Sequence, residues 1–137
     1  MGNEISINKV GYEDIQYAIK NGYLLINTLP ITKQSCLIKS TINSNDEERI
    51  INELINSVDS NAYIIIYGEN ALDDTTYEKC KKLIQFGFSN IHIYVGGLFE
   101  WLLLQDIYGV DHFPTNGIEM DLLKFRTNCK IDKKYLK

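Results

Sequence analysis

Five consecutive apolar residues, Tyr63-Ile64-Ile65-Ile66-Tyr67, run uninterrupted up to Gly68. β-Branched and aromatic side chains fit a pleated backbone, and a run without alternation suits a strand covered on both faces, as in parallel sheets. Gly68 ends the run, and an apolar-periodic segment starts near Asp74. A strand that passes through a tight loop into a helix N-terminus is where α/β proteins place anion binding and nucleophiles. The loop Gly68-Glu69-Asn70-Ala71-Leu72-Asp73-Asp74 is therefore the first candidate site.

The flanking segments alternate in type. Glu4 to Val10 reads as a short strand, and Gly11 to Asn21 as a helix with Tyr12, Ile15, Ala18 and Ile19 on one stripe. Asn21-Gly22 supplies its stop signal, and Tyr23 to Asn27 is a second strand, halted by Pro30. Ile31 to Ser35 reads as loop and Cys36 to Ile42 as another short strand. Ser44 and Glu47 have capping-box spacing and open a helix to about Val58, striped with Ile50, Ile51, Leu54 and Ile55; Asp59-Ser60-Asn61 breaks it. Thr75 and Glu78 repeat the box ahead of a helix whose buried face is Tyr77, Cys80, Leu83 and Ile84, closed by Gly87. Ile91 to Val95 is the next strand, Gly96-Gly97 leads into a helix from Leu98 to about Tyr108, and Met120 to Phe125 forms a last short helix. This order predicts one α/β domain over 1–137: three layers, with a mostly parallel central sheet of about five strands flanked by helices on both faces.

A chain of 137 residues can bury a core without disulfides or metal. A net charge of −4 argues against a general nucleic-acid or anionic-membrane partner. The one basic cluster, Lys130 to Lys137, reads as a solvated terminus. No apolar run reaches the ~18–20 residues of a membrane span, and there is no signal-peptide pattern. Cys36, Cys80 and Cys129 are widely spaced, without zinc-ligand or C-x-x-C spacing, so a reducing cytoplasmic setting is expected, with no metal and no cofactor.

From Gly87-Phe88 through the strand Ile91–Val95 to Gly96-Gly97-Leu98-Phe99-Glu100-Trp101, the chain resembles the rhodanese-like family. That family ends its catalytic half with a Gly-Phe turn, a strand, a Gly-Gly pair and a Trp four residues after the second Gly. The Gly pair permits a sharp strand-to-helix turn, and the Trp anchors the helix in the core. Upstream, Leu24 to Leu29 looks like the family's early strand, with Asn27 and Leu29 where the family has Asp and Arg. Leu37 to Ile42 looks like its His-Ile-Pro-Gly-Ala segment without most of the polar residues. The resemblance covers roughly 5–105 and leaves 106–137 as a C-terminal extension. The stretch from the Gly pair into the following helix is also similar to rhodanese-domain proteins encoded by giant DNA viruses, which implies host cytoplasm or virion as the location.

In catalytic relatives the strand matching Ile64–Tyr67 is followed at once by a nucleophilic Cys, which carries sulfur as a persulfide or attacks phosphate in the related phosphatases. Its thiolate needs backbone N–H groups, a helix N-terminus and usually an Arg. Here Gly68 occupies that position, and no Lys or Arg occurs from Ala62 to Glu78. Glu69, Asp73 and Asp74 instead place carboxylates in the positive potential that would attract an anion. Their spacing matches no calcium loop, and helix capping accounts for them.

Other groups fare no better. Cys80 lies on an apolar stripe, and Cys129 reads as a bystander. Cys36 is the one thiol that could approach the loop in such a fold. His92 alternates with Ile91 and Ile93 and is expected on the opposite sheet face, hydrogen-bonded or near solvent; His112, beside Asp111, reads as a surface loop residue.

The first functional reading is a catalytically inactive rhodanese-like domain acting as a binding or structural module. The alternative is a sulfurtransferase or persulfide carrier that uses Cys36 as a displaced thiol. A third is a self-associating structural component, for instance of a viral particle, or a protein-binding one. The helix bearing Trp101 is apolar around most of its circumference and exceeds the need of one core-facing stripe, unless the extension covers it.

Overall fold

The computed structural model describes residues 7–57, 61–128 and 131. Strands β1 (Asn8–Val10), β2 (Leu24–Asn27), β3 (Ile64–Tyr67) and β4 (Ile91–Tyr94) form one parallel sheet in the order β1-β4-β3-β2. Helices α1 (Tyr12–Asn21), α2 (Ser44–Asn56), α3 (Thr75–Gln85) and α4 (Gly97–Tyr108) connect or follow them, with 3-10 turns at Ile31–Lys33 and Leu122–Phe125. Every residue of β3 and β4 is buried, as their unbroken apolar runs require.

Side-chain alternation sorts the strands into two cores. Leu25, Ile65, Tyr67 and Tyr94 face Ile15 and Ala18 of α1 and Leu98, Trp101 and Leu102 of α4. Ile26, Ile64, Ile66, Ile91 and Ile93 face Ile51 of α2 and Cys80 and Leu83 of α3. The three layers are thus α1/α4, sheet, and α2/α3. Strand register brings Tyr67 and Tyr94 side by side at the carboxyl end of the sheet, where the loop at Gly68 begins.

Several details depart from the sequence expectation. The sheet has four strands, because Cys36–Ile42 does not form one. Ser40 takes a left-handed φ of 73°, the Ile38 N–H donates to Tyr67 Oη at 3.1 Å, and Thr41 turns back on the Ile38 carbonyl. Two isolated bridges, Leu25 with Thr41 and Ile38 with Thr115, are all that remains of the pairing.

Neither expected capping box forms at Ser44 or Thr75. Asn43 caps α2 by accepting from the Asn45 N–H at 2.8 Å, while Glu47 reaches across to Lys79 of α3. Asp74 sits at the N-cap of α3 without a side-chain cap bond. Thr76 takes the buried place expected for Tyr77, which is exposed. Met120–Phe125 tightens to a 3-10 turn at Leu122–Phe125. Glu4–Ser6, Val58–Ser60, Cys129 and the tail after Ile131 lie outside the described residues.

Residues 113–125 cover part of α4. Trp101 Nε1–H donates to the Pro114 carbonyl at 3.1 Å, and its ring packs edge-on against Phe113 with centroids 5.0 Å apart. Gln105 holds the Phe113 carbonyl and the Thr115 hydroxyl, and Phe125 is buried in the same core. Leu103, Ile107 and Tyr108 remain exposed.

Candidate functional site

The loop after β3 is built around one carboxylate. Asp73 Oδ2 accepts the Glu69 N–H at 2.9 Å, and its Oδ1 accepts the Thr75 N–H at 3.1 Å and the Thr75 hydroxyl at 2.6 Å. The Thr75 hydroxyl has a single proton, and the carboxylate can only accept. The Thr28 hydroxyl, 2.9 Å from Thr75 Oγ1, is then the donor of that contact. Two backbone N–H groups that could help cradle an external anion, at Glu69 and Thr75, are thus engaged by the chain's own anion.

Gly68 sits directly beneath this group. A Cβ at position 68 would lie 2.4 Å from Asp73 Oδ2 and 2.8 Å from its Cγ. Any side chain there, a thiol included, competes for the space that the Asp73 carboxylate occupies. The opposite wall is equally closed. The N-terminal N–H groups of α4, at Leu98 and Phe99, donate to the Gly68 and Glu69 carbonyls at 2.9 and 2.8 Å. Gly97 has φ 69°, and a Cβ on it would meet Asn70 N and the Gly68 carbonyl at 2.8 Å each, so only glycine lets the two backbones approach.

The other loop residues turn outward to separate partners. Glu69 Oε1 pairs with Lys33 Nζ at 2.8 Å. Asn70 Oδ1 accepts the Leu72 N–H, and its Nδ2 donates to the carbonyls of Phe125 and Arg126 at 2.9 and 3.2 Å. Lys33 also reaches the Lys124 carbonyl at 3.5 Å. The C-terminal segment is thereby tied to the loop. Ala71, Leu72 and Asp74 are exposed. Among the described residues no group of three or more His, Cys, Asp or Glu is placed to hold a metal ion.

A base does reach the loop, contrary to what its own stretch of sequence suggests. Lys33 comes from 36 residues upstream, and no local pattern announces it. Its charge meets Glu69 rather than an open site. The Asp73 role has a sequence signal: Asp followed two positions later by Thr fits an Asx turn, in which the side chain accepts the N–H two residues on. The Asn70 clamp on Phe125 and Arg126 has none.

Cys36 is buried and faces residues 115–124. Burial pushes its thiol pKa up, partly offset by hydrogen bonds with Thr115 and the Gly117 backbone. Its polar surroundings are Thr115, Gly117, Glu119 and Lys124, and it shares a buried cluster with Tyr67. Cys80 is fully buried among apolar neighbours, which raises its pKa to about 11. Neither thiol has the depressed pKa that nucleophilic cysteines require.

Next to the loop, Tyr94 Oη donates to Glu100 Oε1 at 2.5 Å, and burial followed by that carboxylate drives the phenol pKa far up. Tyr67 Oη lies 2.7 Å from Thr41 Oγ1 and accepts from Ile38; burial raises its pKa as well. Both phenols act as fixed hydrogen-bonding posts. Asn27, at the position where the resemblance expects an Asp, caps the turn at Leu29 N–H at 3.0 Å.

His92 does face away from Ile91 and Ile93, yet it is neither hydrogen-bonded nor near solvent. It is 6 % exposed, both ring nitrogens lack partners among the described residues, and the ring stacks on Tyr63 with centroids 4.3 Å apart. His112 is exposed, as expected for a loop residue, and its carbonyl accepts from Gln16.

No protein-family model matches the chain, and no curated protein matches it in sequence. Solved structures do match in three dimensions. BH2092 from Bacillus halodurans superposes with a TM-score of 0.60 at 19 % identity, covering 95 % of this chain and 90 % of that one. The rhodanese-like domain of Alr3790 from Anabaena sp., in its solution structure, gives 0.57 at 19 % identity over 93 % and 89 %. A crystal structure of Alr3790 gives 0.56 at 19 % identity over 84 % and 97 %. At these identities the likeness is one of fold: the chain has a rhodanese-like α/β fold.

Proposed function

We propose that this rhodanese-like fold carries no sulfur-transfer or phosphatase chemistry and serves as a binding or structural module. The observation that supports this most is the Asp73 carboxylate against Gly68, which fills the nucleophile's space and takes the Glu69 and Thr75 N–H groups. A carboxylate at that distance repels thiosulfate or phosphate, and the Lys33 charge that reaches the loop is paired with Glu69. The exposed end of α4, with Ile107 and Tyr108 beside Val110, is an apolar surface that a protein partner could cover.

The test is a sulfur-transfer assay with thiosulfate and cyanide, alongside a phosphatase assay with an aryl phosphate. The expected result is no turnover above a heat-denatured control. Turnover lost in Cys36→Ser, or a sulfur atom found on Cys36 by mass spectrometry after donor treatment, would overturn the reading in favour of a displaced-thiol carrier.

A further inference from the structure

On the sheet face carrying α2 and α3, the two helices enclose a groove of about 430 Å³. Its floor is apolar, formed by Ile51 and Leu83, and its walls carry opposite charge: Glu47 and Glu48 on α2, Lys79 and Lys82 on α3. Glu47 and Lys79 pair with each other within the chain. Glu48 and Lys82 form no ion pair among the described residues. At the end of α3 the Phe86 ring lines the groove and is 56 % exposed.

We propose that this groove docks a second copy of the chain about a twofold axis, with α2 of each copy against α3 of the other. A surface with one acidic and one basic wall is complementary to itself under such rotation. Each Glu48 then meets the other copy's Lys82, and the pairing occurs twice. Other occupants match less well. A polyanion such as nucleic acid is repelled by the α2 wall, and a basic peptide by the α3 wall. Phe86 supplies the apolar anchor that rim charges alone do not, since aromatic side chains seated in grooves dominate interface energetics.

The experiment is sedimentation equilibrium of the full chain across a concentration series, with two charge inversions. The wild type is expected to reach twice its 15.8 kDa mass. Glu48→Lys and Lys82→Glu should each weaken the dimer at least about tenfold, because like charges then face each other twice. Mixed in equal amounts, the two variants should form a heterodimer, since the inverted α2 wall of one meets the inverted α3 wall of the other. Recovery on mixing cannot arise from misfolding, and circular dichroism of each variant checks the fold directly. A wild type that stays monomeric throughout, a dimer unmoved by either inversion, or a mixture that stays monomeric overturns the proposal. A dimer lost instead on Ile107→Lys would assign self-association to α4.

Discussion

Replacing Gly68 with alanine isolates the interaction at the centre of the site. Gly68 is not among the glycines with positive φ, so its backbone accepts a Cβ without strain. The nearest obstacle is Asp73, whose Oδ2 would lie 2.4 Å from the new atom. The carboxylate must rotate away and surrender its bonds from Glu69 and Thr75 N–H, at 2.9 and 3.1 Å. A capping side chain contributes about 1 kcal/mol and a charge-assisted bond about 1.5–3 kcal/mol; with the loop partly exposed, the loss comes to about 1–3 kcal/mol. Asp73→Ala should cost a similar amount. In that second background the carboxyl group is gone and only the residue-73 Cβ, 3.1 Å from the new atom, stays close, so Gly68→Ala should cost at least about 1 kcal/mol less than in the wild type. The four proteins form a double-mutant cycle, read by urea unfolding with Trp101, the chain's one tryptophan, as the fluorophore. Equal costs of Gly68→Ala in both backgrounds would refute the packing argument.

Three further outcomes follow from the same geometry. Tyr67→Phe removes the acceptor of the buried Ile38 N–H and the partner of Thr41, and should cost about 1–3 kcal/mol in urea unfolding. Asn70→Ala should raise hydrogen exchange in residues 122–126 while leaving β3 protected, because Asn70 ties the Phe125 and Arg126 carbonyls to the loop. Burial holds the His92 imidazole below its ordinary pKa of 6.5, the Asp14 carboxylate offsetting this in part, so the unfolded chain binds that proton more tightly. The corresponding stability is complete above pH 6.5 and is lost as pH falls through that value toward the lower folded one. His92→Phe keeps a ring against Tyr63 and should flatten the urea midpoint between about pH 7.5 and about pH 5.

Much of the architecture was legible because it rests on local pattern. The unbroken run at Tyr63–Tyr67 dictates a strand buried on both faces, and the stripes of α1 and α2 follow helical spacing. Gly97 is demanded by its positive φ and by the approach of Asn70, which is why the Gly pair and Trp101 pointed to the right fold. What failed depended on distant partners. Cys36–Ile42 has strand-forming residues, yet Tyr67 Oη takes the Ile38 N–H that a strand neighbour would have used. Asn43 and Ser44 are adjacent cap formers, and spacing to Glu47 favoured the wrong one, because Glu47 is drawn to Lys79 across the groove. At the candidate site the missing nucleophile and the three carboxylates could be read from sequence. Their division of labour could not: it depends on Lys33 and on a C-terminal segment more than fifty residues away, at Phe125.

The central claim, that the loop after β3 is closed by its own anion, is tested most directly by nuclear magnetic resonance. Thiosulfate and inorganic phosphate are titrated into the 15N-labelled chain while the Glu69 and Thr75 amide signals are followed. Both N–H groups already donate to Asp73, so neither signal should shift beyond a sodium chloride control. Saturable shifts at these two amides would show a cradle open to external anions and contradict the account.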